Sequence, residues 1–308
     1  TPARVRGHRC ASGYLSTSVR FAHVNAPTPD AERRARLLDG AHRTLSSLSD
    51  VLTPLGARFA EAGHELYLVG GSVRDAVLGR LGTDLDFTTD AHPEQVQELL
   101  RGWADNQWDT GIAFGTISAA KGADQIEITT YRTDTYDGVT RNPEVQYGTT
   151  LEEDLVRRDF TVNAMAVRVD ASGTFEFVDP LNGMDALIAG VLDTPAAPEI
   201  SFNDDPLRML RACRFVSQLG FTLAPRVQQA IVDMAGQIDR ITAERVHTEL
   251  DKLILGEYPI DGINVMCETG LADHVLPELP QMNLKVDEHY CHNEVYCDAL
   301  TVLKQGSD

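Results

Sequence analysis

Residues 68–89, LVGGSVRDAVLGRLGTDLDFTT, constrain the fold more than any other stretch of the chain. The apolar run 66–69 reads as a strand, Gly70 and Gly71 as the turn that ends it, Ser72 onward as a short helix, and Asp84-Leu85-Asp86 as part of a second strand. Side chains two apart on a strand share a face, so Asp84 and Asp86 point the same way and can grip one pair of cations. Glycines let the backbone come close to a ligand, and a helix start turns unpaired amides and its positive dipole end toward an anion. Phosphate beside divalent metal is the chemistry this order of parts serves. Each part alone has a plainer reading, the glycines as a turn and the aspartates as solvated surface.

A third acid follows in QIEITTYR, where Glu127 lies between two isoleucines with the alternation of a half-buried strand. By itself it reads as an exposed strand residue. Behind the other two it reads as the third member of an acidic cluster.

At 308 residues the chain has room for two domains and a substantial core. No apolar run approaches the length of a membrane span, so the chain is expected to be soluble and cytoplasmic. A net charge of −19 excludes a simple basic glove for nucleic acid, and any RNA must meet a local basic face. Cys10, Cys213, Cys267, Cys291 and Cys297 are odd in number and contain no C-x-x-C, which suits reduced thiols better than a disulfide framework. Residues 1–29 carry Arg4, Arg6, Arg9 and Arg20 with no acid, the composition of a transit-type presequence or of a disordered tail.

From residue 30 to 61 the pattern is helical, with Pro54 and Gly56 expected to interrupt it and Leu45, Leu48, Leu52 and Leu55 forming an apolar stripe. A helix over 93–101 and strands over 115–120 and 126–132 follow. Residues 133–150, with two glycines, Pro143 and no apolar period, read as a mobile loop, either catalytic or plain surface. Arg157, Arg158 and Asp159 precede an apolar run that reads as a strand through Val169. Such a trio usually marks a helix end with a salt bridge. After a metal-site motif it reads as a nucleotide-handling element, Arg158 reaching phosphate or sugar and Asp159 orienting it. Residues 179–187, DPLNGMDAL, form a turn entering a helix and a domain hinge.

Beyond Asp193 the β signals stop and the chain reads as helical throughout, after a short linker at 195–198. Asp204 or Asp205 can cap a helix whose first position is Pro206, with Met209, Cys213 and Val216 facing a core. Asp205, Arg208, Arg211 and Arg214 recur every third residue, which is usually a solvated face. Chemistry offers more. Cytosine and adenine each present an amine donor beside a ring-nitrogen acceptor, so Asp205 accepting and Arg208 donating can read both bases and reject uracil and guanine. Arg211 and Arg214 are then left for phosphate or for holding the aspartate. A later helix from Thr242 has Val246, Leu250, Leu253 and Ile254 as its core face, and Glu249 reads as the structural partner of a neighbouring arginine.

These motifs, GGSVRD at 70–75, DLD at 84–86, RRDFTVNAMA at 157–166, DPLNGMDAL at 179–187, DDPLRMLRACRF at 204–215 and ERVHTELDKLI at 244–254, resemble the class II tRNA nucleotidyltransferases, the family of CCA-adding enzymes and bacterial poly(A) polymerases. The match covers roughly residues 60–270. It implies an α+β fold: a small mixed-sheet catalytic head over 30–192, a helical neck that recognises the base over 193–275, and the start of a further helical region over 276–308. It also implies transfer of nucleotides from CTP and ATP to a tRNA 3′ end without a template, by two-magnesium chemistry. Asp84 and Asp86 correspond to the metal ligands, with Glu127 completing the catalytic acids. Gly70, Gly71, Arg74, Arg158 and Asp159 fall in the nucleotide-binding part, and Asp205, Arg208, Arg211 and Arg214 in the protein template. Asp204 stands where many members have Glu.

The departures lie at the ends. Bacterial relatives often continue into a metal-dependent phosphohydrolase domain opening H-x-D-V-Y-x-H, but here His292 is followed by Asp298 where the second His belongs, so no phosphohydrolase activity is expected. His289, Cys291, His292 and Cys297 lack C-x-x-C spacing and make a poor zinc site. The chain is expected to be a fragment, or an enzyme with weakened RNA binding. Two alternatives remain: addition of A, CC or poly(A) by the same chemistry, and an inactive RNA- or nucleotide-binding module.

Overall fold

The computed structural model describes residues 29–135 and 144–283. The arginine-rich tail, the tip of the 133–150 segment, Cys10, Cys291, Cys297 and the histidine-bearing stretch all lie outside the described residues.

Two helices, α1 (Pro29–Ser46) and α2 (Ser49–Glu61), lead in. The break falls at 47–48 and not at Pro54, which sits inside α2 on its exposed side. There the hydrogen bond lost at its ring nitrogen leaves a carbonyl to water and costs little. Gly56 is needed for a different reason. A Cβ there would stand 2.7 Å from the backbone of Val169 and Asp170, so glycine lets α2 lie directly on the chain. Leu45, Leu52 and Leu55 are fully buried as the stripe requires.

Strand β1 (Leu66–Val69), helix α3 (Gly71–Val77) and strand β2 (Asp84–Thr89) follow in the expected order. Helix α4 (Pro93–Leu100) begins with a reciprocal cap between His92 and Gln95. Then come β3 (Asn106–Trp108), β4 (Thr116–Lys121) and β5 (Asp124–Thr130). The segment read as a loop has paired ends: β6 (Arg132–Thr135) and β7 (Glu144–Tyr147) form an antiparallel ladder with Arg132 opposite Tyr147. Glycine and proline near its tip obscured two short strands.

After α5 (Leu151–Val156), residues 161–163 form a 3-10 turn, so the strand expected through 169 shrinks to β8 (Ala166–Arg168), paired with β9 (Glu176–Val178). The main sheet runs β3-β4-β5-β2-β1-β8-β9. Within it β2 and β5 are parallel while the other neighbours are antiparallel, and the parallel register sets Asp86 against Glu127.

Helix α6 (Gly183–Ala189) and the short β10 (Val191–Leu192) close the head. The remainder is α7 (Pro198–Asp204), α8 (Leu207–Leu219), β11 (Thr222–Leu223), α9 (Pro225–Met234), α10 (Ala243–Ile254), α11 (Pro259–Glu268), α12 (Ala272–Val275) and α13 (Glu278–Asn283). One strand interrupts this helical run: β11 pairs with β10 in parallel and ties neck to head. Met209, Cys213 and Val216 are buried, while Ile254 is on the exposed side of α10. A single apolar cluster runs from Leu45 through Phe160 and Phe202 to Leu271, so head and neck share one core.

Candidate active site

Between the mouth of the sheet and helix α8 lies an open cleft of about 850 Å³. Its floor is the β1–α3 turn and the start of β2. Gly70 adopts φ 68° and ψ −137°, a conformation open to glycine, and there a Cβ would come within 2.9 Å of Arg158 Nη1. Ser72 fixes the acid strand to this turn: its hydroxyl donates to the Asp84 carbonyl (3.2 Å) and accepts from the Asp86 amide (2.9 Å).

Asp84 and Asp86 both line the cleft. Water reaches Asp86 through the open mouth, yet protein crowds its carboxyl from the remaining sides. That burial, with Glu127 and Asp84 adding like charge against the pull of Arg158, pushes its pKa up to about 6. Glu127 is exposed and stands beside Asp86 on β5, outside the cleft lining. Among the described residues no group of three or more His, Cys, Asp or Glu side chains gathers as a metal site. What is present is an open acid pair under mutual repulsion. Such a pair suits a hard cation that takes its other ligands from water and substrate phosphates, as magnesium does.

The opposite wall is basic. Arg74, buried in α3, donates from Nη1 to Asn163 Oδ1 (2.7 Å) and from Nε and Nη2 to Asp75 (3.0 and 2.8 Å). Asp159 accepts from Arg211 Nε (2.9 Å), from Asn163 Nδ2 (2.9 Å) and from the Phe160 amide (2.8 Å). Burial works against its charge, but the Arg211 guanidinium, the Asn163 hydrogen bond and the charge of Arg208 together outweigh it, holding this carboxyl well below the usual range. Three guanidiniums surround the Phe215 ring, with Arg214 at 4.3 Å, Arg74 at 5.2 Å and Arg211 at 5.8 Å from its centroid. Burial, together with the neighbouring Arg211, draws the Arg214 pKa down to about 10, and Glu249 pairs with it at 3.1 Å. The role expected for Glu249 is the one it has.

Gly70, Gly71, Arg74, Asp84, Asp86, Arg158, Asp159, Arg211 and Arg214 thus share one cleft. Two expectations need correction. Arg158 is not oriented by Asp159, which is occupied by Arg211. The fully buried Asp154 orients it, accepting from Arg158 Nη2 at 2.9 Å. Asp205 and Arg208 do not line the cleft either. Asp205 accepts from the Leu207 amide (3.2 Å) and pairs with Arg245 (2.9 Å), and Arg208 donates to the Arg157 carbonyl (2.7 Å) and to Ser201 Oγ (2.8 Å). Asp205 is extended (φ −139°, ψ 98°) and lies before α8, while Arg208 and Arg214 lie about 120° apart around the helix axis. The row cannot face one cavity as a whole.

Asp154, Asn163, Ser72, Arg80 and Lys252 belong to the site or its support and were missed. For Asp154 a signal existed: it stands three and four residues before Arg157 and Arg158, the spacing at which helical side chains meet.

An acid pair at the mouth of a mixed sheet, faced by a helical arginine wall, defines a nucleotidyltransferase head joined to a helical neck. Comparison with known proteins agrees. Residues 66–193 match the poly A polymerase head domain and residues 220–282 the probable RNA and SrmB-binding site of polymerase A. The CCA-adding enzyme of Leuconostoc mesenteroides is 40% identical over 228 residues, 74% of this chain and 54% of that protein, and that of Bacillus subtilis 39% over 216 residues, 70% and 52%. Among solved structures, the Bacillus stearothermophilus CCA-adding enzyme in complex with CTP superposes with a TM-score of 0.62 at 33% identity, over 80% of this chain and 53% of that one. A tRNA nucleotidyltransferase complexed with a primer tRNA and an incoming ATP analog gives 0.62 at 27%, over 74% and 66%. The chain belongs to the class II tRNA nucleotidyltransferase and bacterial poly(A) polymerase family. It spans about half the length of the curated relatives it matches. No helix among the described residues is long and apolar enough to cross a membrane.

Proposed function

We propose that this chain carries the catalytic head and base-selecting neck of a cytoplasmic CCA-adding tRNA nucleotidyltransferase, taking CTP and ATP as substrates and a tRNA 3′ end as acceptor. The observation that carries this reading is the meeting, in one open cleft, of a repelling acid pair and a wall of ordered guanidiniums. In the reaction the 3′-hydroxyl oxygen bonds to the α-phosphorus and pyrophosphate leaves. Magnesium held by Asp84 and Asp86 supplies the Lewis-acid chemistry, easing ionisation of the hydroxyl and neutralising the leaving oxygens. Glu127 adds negative charge beside Asp86 and strengthens the pair's demand for a cation. Arg158 and Arg74 bind the triphosphate, and Gly70 leaves room for it to approach the backbone. Asp159 keeps Arg211 in place on the neck wall, next to Arg214. Asp205, just before α8, and Arg208, in its first turn, read the base after Arg208 turns from the Arg157 carbonyl to the nucleotide. The domain limits 30–192 and 193–275 follow the same division of labour.

The test is magnesium-dependent incorporation of labelled CMP and AMP into tRNA lacking its terminal CCA. Asp84→Ala, a change at an exposed position, should abolish incorporation without lowering the melting temperature. Substantial activity in that variant would refute the metal assignment. Product lengths with CTP and ATP supplied separately separate CCA addition from A, CC or poly(A) addition. Arg208→Ala should relax the preference for CTP over UTP.

A further inference from the structure

The guanidinium whose charge bears on Asp86 is held by few contacts. Arg158 has its Nε buried without a partner, and among the described residues its guanidinium makes one hydrogen bond, to Asp154 Oδ2. The Nη1 of the same guanidinium stands at the Gly70 turn, and its charge bears on Asp86. Asp154 is 0% exposed, and its other oxygen, Oδ1, accepts from Arg157 Nε (3.0 Å) and Nη2 (2.7 Å). The Arg157 backbone carbonyl in turn accepts from Arg208 Nη2 at 2.7 Å. One buried carboxylate therefore stands between the arginine that faces the acids and the residue whose carbonyl anchors the base-reading arginine.

We propose that Asp154 is a positioning residue: it aims Arg158 at the nucleotide's phosphates. It touches no substrate. The inference rests on the functional reading above, since it takes the cleft to be a nucleotide site. Its physical basis is charge and geometry together. A carboxylate forked between two guanidiniums fixes both planes, and an amide of the same shape has one acceptor oxygen and no charge to do so. A purely structural role predicts loss of stability with no particular link to Arg158.

The experiment is a double-mutant cycle on CTP binding in the presence of magnesium, measured by titration calorimetry on wild type, Asp154→Asn, Arg158→Ala and the double variant, each with its melting curve. Asp154→Asn should weaken CTP at least about tenfold, the scale of losing a partner that orients a binding group. In the Arg158→Ala background the same change should cost little more, because Asp154 then has nothing left to aim at the phosphates. Asp154→Glu, which keeps the charge, should recover part of the affinity. Binding unchanged in Asp154→Asn, or losses that add in the double variant, would overturn the inference while leaving the functional reading intact. So would a loss that disappears once the folded fraction is corrected from the melting curve. Wild-type protein that binds neither CTP nor ATP would overturn both.

Discussion

Replacing Gly70 with alanine tests the cleft where backbone and side chain meet. Two effects separate on paper. At φ 68° and ψ −137° a residue with a Cβ is strained by about 1–3 kcal/mol. The new methyl would also lie 2.9 Å from Arg158 Nη1, so the guanidinium must retreat by about half an ångström to reach the 3.4 Å of ordinary contact. Asp154 holds that guanidinium from behind, which limits where it can go. Strain should appear as a fall in melting temperature of about 2–4 °C per kcal/mol, and displacement as CTP affinity weakened about tenfold. Two neighbours serve as controls. Gly79 has φ 71° but nothing within 4 Å of its Cβ position, so Gly79→Ala should lose stability and keep CTP binding. Gly71→Ala would meet Arg74 Nη2 at 3.6 Å, an ordinary contact, and should leave the melting temperature nearly unchanged. If Gly70→Ala loses no more affinity than Gly79→Ala, the close approach of Arg158 to the turn is not a functional constraint and the reasoning fails.

Two further outcomes follow from charge. The folded-state pKa of Asp86 is raised to about 6 from 3.8, so its contribution to stability is fully present below pH 3.8 and is lost as pH rises through 6. Asp86→Asn should therefore melt above wild type at pH 8 in chelator, with the gap closing by pH 4, and added magnesium should raise wild type but not the variant. Asp159 shifts the other way, contributing stability above its usual pKa that is lost in acid. Removing it leaves Arg211 only the looser pairing with Glu249 at 3.8 Å, so Asp159→Ala should cost about 3 kcal/mol in urea unfolding at neutral pH, whereas an unchanged midpoint would mean the pair is not buried as described.

The acid strand was legible because alternation is strict: Asp84 and Asp86 had to share a face whatever lay around them. Glu127 was legible as a strand residue, but its place beside Asp86 depends on a parallel pairing between β2 and β5 that no local pattern encodes. Pro54 misled because the cost of proline depends on which side of the helix it faces. The strands at 132–135 and 144–147 were hidden by the turn residues between them. The pairing of Asp159 with Arg211 spans 52 residues, and local reading gave that aspartate to its sequence neighbour instead. The Asp205 to Arg214 row divides because Asp205 lies before the helix begins and, from Arg208 on, steps of three drift around the cylinder.

Because a single apolar interior threads from the first helices through α8 to Leu271, the two halves of this molecule are not modules on a hinge. Cutting the chain near residue 195 would leave each piece with a raw oily face, so neither half should survive as a soluble part. Letter choice and bond formation are thereby bound to one melting event, and a substitution that loosens the neck will register as failing chemistry in the head.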